Sequence, residues 1–459
     1  MTRWLVCAFA VLVLVVAAVS ARQPGDGGVA HFKYASVGVE PEEGLPYWIW
    51  QALPRLFPDL LPGGYASLGF VWEPGQELPV GFSKRDVLGS TRVAVNCAFC
   101  HTATYRVSPS SPREIVPGGA ATRLDPQRFS RFLEAAAADE RFTASAMLEV
   151  IDQMGTLSWL ERFNYRFLLI SGTRRALLRH RDEFAWMDRR PDWGPGRIDP
   201  LNPFKFRQLR QPLDETIGNA DLTPLWALGL RDGKAYHWDG LNPSLREVLI
   251  GSAIGNGASV KSVDVESVEA VGTWLASVTP PAFPFPVDAA LAEQGRTVFG
   301  TACAACHAES GARMGAVIPA EDVGTDRHRL DTWTESAAAA FNGIALGKPW
   351  QMRSYRKTTG YVATPLVGTW LNAPYLHNGS VPTLADLLEP AEARPGRFVR
   401  GYDVYDPARV GFVHAGAAAE RDGVVFDVTR PGNGNGGHLY GTALSPADKQ
   451  ALLEYLKTL

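Results

Sequence analysis

Val265, Val268, Val271, Leu275 and Val278 recur at three- and four-residue steps and predict an amphipathic helix over 265–278. Asp288 has the side chain of an N-cap ahead of a second helix, through Ala289–Phe299, which leads into Cys303. Between the two, Pro280, Pro281, Pro284 and Pro286 rule out a helix and predict a stiff linker over Ser277–Pro286. Near the end, Ser445-Pro446-Ala447-Asp448 has the form of a capping box with proline at the first helical position. Leu452, Leu453, Tyr455 and Leu456 then give that helix one apolar face. Upstream, a long N-terminal part, Phe32 to Asn96, precedes a helical insert around Pro126–Phe184. Arg174, Arg175, Arg179, Arg181, Arg189 and Arg190 crowd the end of the insert. They read first as a solvated basic face and second as a docking site.

At the N-terminus an apolar run to Val19 follows Met1-Thr2-Arg3-Trp4, and Val19, Ser20 and Ala21 supply the small residues of a secretory signal cleaved after Ala21. The run is also nearly long enough to span a bilayer uncleaved, the one way in which a membrane is expected to be involved. Cys7 lies inside it and would leave with the signal. The expected organisation is a signal peptide at 1–21, an N-terminal unit at 22–279 and a C-terminal unit at 280–459, in a periplasmic protein. A length of 459 residues is ample for two or three cores. A net charge of −3 predicts neither a nucleic-acid partner nor a polybasic membrane patch. The 33 Pro and 45 Gly, with short apolar segments between them, predict long ordered loops wrapped around helices in a mostly α fold.

The candidate chemistry lies in two pentapeptides, Cys97-Ala98-Phe99-Cys100-His101 and Cys303-Ala304-Ala305-Cys306-His307. Cys-x-x-Cys-His is the attachment pattern of a c-type haem. Two thiols at that spacing form thioethers with the vinyl groups of one porphyrin, and the adjacent His reaches the iron. A zinc ribbon would bring its two cysteine pairs within about 20 residues of each other, far closer than these. A thioredoxin-like pair would follow a strand of a βαβ unit, and no such pattern precedes either site. A disulfide within Cys-x-x-Cys is short and strained. Two covalently bound haem c groups are therefore expected, one in each unit, and with them redox chemistry.

A second strong axial ligand confines an iron to electron transfer, whereas an open position admits dioxygen or peroxide. Beyond His101 and His307, the candidate distal histidines are His237, His377 and His438. His438 ends Gly432-Asn433-Gly434-Asn435-Gly436-Gly437, a flexible loop able to approach a haem closely. Trp238 is either a core residue or an electron carrier between haems, and Asp239 would anchor the indole N–H or a turn.

The chain resembles the dihaem cytochrome c peroxidase and MauG superfamily, and within it the rubber oxygenase branch. The resemblance rests on Phe32-Lys33-Tyr34, Pro46-Tyr47-Trp48-Ile49-Trp50, Gly64 to Gly69, Leu78 to Ser83, Asn96 to His101, His237-Trp238-Asp239-Gly240, Ala373 to Ser380 and Gly432 to Gly441. It implies two cytochrome c-like haem domains, with Trp238 between the haems and His438 as distal ligand of the His307 haem. It also implies a catalytic His101 haem and His377 as a pocket residue near the second haem; some dihaem peroxidases hold one calcium ion between the domains, and the sequence leaves that open here. The implied function is a dihaem oxidoreductase activating dioxygen or peroxide at the first haem, with electrons passing through the second. Its partner would be a small redox protein or a small-molecule oxidant. A non-catalytic dihaem electron carrier is the alternative. Two departures stand out. The peroxidases carry a catalytic Glu about 20 residues after the equivalent of Trp238, where this chain has Gly255-Asn256-Gly257-Ala258-Ser259. The oxygenases carry a Phe over the first haem, yet 239–272 holds no aromatic residue here.

Overall fold

The computed structural model describes residues 26–459; the signal segment at 1–21 lies outside them. The expectation of a mostly α protein is corrected. Helices alternate with short strands that form one three-stranded and five two-stranded sheets among the described residues. The largest sheet pairs Phe82–Val87 with Ser90–Val95 and adds Leu45–Pro46 at the edge. Its hairpin turns through Leu88 and Gly89, both at positive φ (51° and 77°). Such primed turns are normally signalled by Asn-Gly, and Leu-Gly gives no such cue.

The predicted helices are present with adjusted ends. Val265–Leu275 is capped by Asp264, whose side chain accepts from Ser267 N, and it stops before the prolines. Ala289–Ala302 is capped by Asp288 and runs directly to Cys303. Pro446–Leu456 is capped by Ser445 and buries Leu452, Leu453 and Leu456, while Tyr455 is only half-buried. The last two helices cross at Gly295, where a Cβ would stand 1.9 Å from the Ala451 carbonyl oxygen. Ser277–Pro286 is non-helical throughout. The insert is three segments: Pro126–Ala138, Ala144–Met154 and a rod from Trp159 to Phe184 with a π-helical turn at Tyr165–Leu169.

Three main apolar cores result. One joins the insert to the three-stranded sheet through Trp50, Leu53, Phe82, Phe132 and Met147. The other two draw on both sides of the proline linker. Phe32, Leu249 and Val268 pack with Trp333, Phe341 and Tyr355. Ala103, Val116 and Trp226 pack with Trp370, Tyr405 and Leu452. A polar clip adds to this. Arg106 N donates to Asp403 O (2.7 Å), and the buried Asp403 carboxylate receives the guanidinium groups of Arg106 and Arg113, with Arg123 at 3.6 Å. No helix among the described residues is long and apolar enough to cross a membrane.

Candidate functional site

Each pentapeptide folds as one short helical turn. Cys97–Cys100 is started by Asn96, whose Oδ1 accepts from Ala98 N (3.0 Å) and whose Nδ2 donates to the carbonyls of Lys33 and Ala35. Gly81 (φ +91°) passes so close that a Cβ would lie 2.3 Å from the Phe99 backbone. Ala304–His307 continues from the end of the long helix that closes at Cys303. The four thiols form no disulfide. Burial pushes Cys97 and Cys303 up to about 11 and Cys100 up to about 12. These three are neutral thiols at pH 7.

Both motif histidines are oriented in the same way. The His101 Nδ1–H donates to Thr223 O at 2.7 Å, and the His307 Nδ1–H donates to Thr364 O at 2.7 Å. A ring so held keeps Nε2 free as a metal ligand, with the carbonyl fixing tautomer and orientation. Burial lowers His101 to about 4 and also lowers His307. The neutral form that coordinates metal therefore prevails at pH 7.

His438 is brought opposite His307, with ring centres 6.2 Å apart and planes at 50°. A histidine nitrogen lies about 2.0 Å from a metal it binds, so two imidazoles on opposite sides of one iron have ring centres about 6 Å apart. The His438 Nδ1 is buried without a hydrogen-bond partner, and burial, then the nearby His307, lowers its pKa to about 4. The glycine-rich loop is pinned rather than flexible. Arg394 donates to the carbonyls of Asn435, Gly437 and His438, and Asn378 and Ser380 both donate to Gly434 O. Gly437 (φ +76°) abuts the Gly324 backbone, where a Cβ would meet Gly324 C at 2.2 Å.

The surroundings of His101 differ. Among the described residues no aromatic or imidazole ring is paired with it as His438 is with His307. His237 is near enough for the charge on His101 to act on it, although burial is the main cause that lowers it to about 4. Its φ is +64°, its Nε2 is buried without a partner, and its ring centre is 6.4 Å from that of Tyr355.

Trp238 bonds to the residues two positions before each histidine's carbonyl anchor, and its own carbonyl accepts from Val362 N (2.8 Å). Its Nε1–H donates to Asp221 O (2.9 Å), not to Asp239, which corrects one expectation. Asp239 is fully buried and instead receives Arg329 (3.2 Å), leaving its Oδ2 unpartnered. Asp221 stands two residues before Thr223, the anchor of His101, and its N–H donates to His377 O (2.8 Å). His377 stacks on Tyr361 at 4.1 Å and donates from Nε2 to the Tyr361 hydroxyl (3.1 Å). Tyr361 packs in turn near Trp238 with Ala320 and Leu330. His377 is thus engaged with Tyr361. Thr223, Thr364, Asp221, Tyr361 and Arg394 went unread in the sequence. Three of them act through backbone groups, which no side-chain pattern signals. Among the described residues no group of three or more His, Cys, Asp or Glu is placed to hold a metal ion.

Residues 360–399 match the RoxA-like, cytochrome c-like family. This short segment carries Thr364, Tyr361, His377, Asn378 and Ser380, the supports of the His307 side of the site. The match supports a relationship to RoxA-like cytochromes c, a family of haem c proteins. Two uncharacterised proteins of Sinorhizobium fredii are also similar. One, y4iM, is 36% identical over 176 residues, a match that spans 33% of this chain and 40% of that protein. The other, y4iJ, is 24% identical over 88% of this chain and 85% of its own length.

Proposed function

We propose that this chain is an exported, periplasmic dihaem c-type cytochrome, an oxidoreductase that activates dioxygen or peroxide at its first haem and passes electrons through its second. Two cytochrome c-like units, 22–279 and 280–459, would each carry one haem. The observation that carries the reading is the asymmetry between the motif histidines. His307 faces a second imidazole at 6.2 Å, whereas no ring is paired with His101 among the described residues. When bound, haem c supplies one-electron chemistry and, where a coordination position is open, a place for a small oxidant.

The chain's own groups then have separable tasks. Cys97, Cys100 and His101 would hold the first haem, with Thr223 fixing the imidazole. Cys303, Cys306, His307 and His438 would hold the second, with Thr364 and Arg394 fixing the two rings. Trp238 lies between the Thr223 anchor and the Tyr361–His377 stack, where an indole suits electron passage between halves. His237 offers an unpartnered Nε2 at the first site, in a chain that lacks the peroxidase Glu, and is the candidate hydrogen-bond donor to a bound oxidant. A small redox protein would be the electron partner. The same Nε2 favours a second reading, a non-catalytic electron carrier, if it ligates the first iron.

The test is haem stoichiometry of the exported protein by pyridine haemochrome and intact mass. Two haems are expected, and one each in Cys97→Ser/Cys100→Ser and Cys303→Ser/Cys306→Ser. A single haem in the unsubstituted protein, unaffected by one of these pairs, would overturn the reading.

A further inference from the structure

The most conspicuous surface feature lies on the helical insert. Trp159, Leu160, Phe163, Phe167 and Leu168 are 81%, 52%, 53%, 57% and 60% exposed. Buried neighbours account for the rest of the segment. Tyr165 and Ile170 face inward, and the Tyr165 hydroxyl accepts from Trp48 N (3.3 Å). Ser158 and Glu161 close a capping box, so the rod is held firmly with its apolar residues outward. Trp159, Phe163 and Phe167 are spaced four apart and share a face, with the Phe163 and Phe167 rings 4.8 Å apart. A clustered apolar patch of this kind on a soluble surface marks an interaction site.

The patch is flanked by cations. Arg162 is tied to Asp152, and Arg166 lies over the Phe167 ring at 5.8 Å. Arg175 and Arg179 project further along the same rod. Among the described residues, Arg166, Arg175 and Arg179 have no carboxylate within salt-bridge distance. Beside the aromatic face, Asp152 is engaged by Arg162 and Glu161 by Ser158. Trp, Phe and Leu on one face with arginines beside them match an element lying in the lipid interface, aromatic rings at headgroup depth and guanidinium groups on phosphates. An apolar polymer or a neutral protein groove would leave those cations without partners.

We propose that the Trp159–Leu168 face, with Arg166, Arg175 and Arg179, docks this protein on an anionic lipid surface without spanning it. The proposal stands independently of the haem reading.

The test is co-sedimentation of the exported holoprotein with phosphatidylglycerol/phosphatidylcholine vesicles and with phosphatidylcholine vesicles. Trp159→Ser/Phe163→Ser/Phe167→Ser and Arg166→Gln/Arg175→Gln/Arg179→Gln are compared with it, so any contribution of the N-terminal apolar segment is common to all three. Far-ultraviolet circular dichroism checks that each variant is folded. Binding to the anionic vesicles at least tenfold tighter than to the neutral ones is expected. The aromatic variant should lose it, and the arginine variant should lose the anionic preference. No vesicle binding, equal binding to both compositions, or unchanged binding by the aromatic variant would overturn the proposal. So would a concentration-dependent dimer, abolished by the same aromatic substitutions, in place of vesicle binding.

Discussion

A few buried side chains at the candidate sites are left without partners. Hydrogen-bonding atoms at buried positions are nearly always satisfied, yet the His438 Nδ1 and His237 Nε2 are not. Both residues also hold positive φ (46° and 64°), a conformation that costs a non-glycine residue energy. The sequence offers His237, His377 and His438 as equivalent candidates, and the structure gives them different surroundings. His438 was legible because six residues rich in glycine precede it. His377 looked equally eligible and is instead stacked on Tyr361, a partner sixteen positions away that no local pattern announces. Trp238 and Asp239 are adjacent in sequence yet turn to Asp221 and Arg329 respectively. If His237 donates to a ligand at the first site, His237→Ala will raise the dissociation rate of bound cyanide about tenfold, near 1.4 kcal/mol. Stopped-flow ligand exchange measures this. An unchanged rate would remove His237 from the site.

At the level of elements, caps and prolines carried most of the legible information. Asp288 and Ser445 start helices where the side chains indicated, because an N-cap is a local hydrogen bond, and Asp264 caps a third in the same way. The small strands were not legible. Two- to six-residue pairings such as Thr102–Tyr105 with Glu114–Pro117 depend on long-range register and on turns such as Leu88-Gly89. The crossing of Ala289–Ala302 with Pro446–Leu456 depends on one glycine. Gly295→Val would drive a branched side chain into the Ala451 carbonyl, and a loss of about 3 kcal/mol is expected in denaturant unfolding. A loss below about 0.5 kcal/mol, the scale of an ordinary surface change, would show that the crossing is not tight.

On the scale of the whole molecule, the proline linker divides the chain but not its cores. Phe341 packs with residues before the linker, and Ala103 packs with residues after it. Asp403 fastens the same two halves. Burial by itself would raise its carboxyl, but the hydrogen bond from Arg113 and the charges of Arg123, Arg113 and Arg106 outweigh burial and hold it below the ordinary value. A lowered folded-state value means that the stabilisation is present above the unfolded carboxylate pKa and is lost as pH falls through the folded one. Asp403→Asn is therefore expected to cost roughly 3 kcal/mol at neutral pH. The difference from the unsubstituted protein should shrink below about pH 4. Thermal unfolding across pH 3–7 checks this, and a difference independent of pH would contradict it.

In the proposed function the two motif histidines serve differently ligated irons. Electron paramagnetic resonance of the oxidised protein, quantified per haem, addresses it directly. One high-spin and one low-spin signal are expected, and His438→Ala should convert the low-spin signal alone to high spin. Two low-spin signals, or a low-spin signal that survives His438→Ala, would contradict the account.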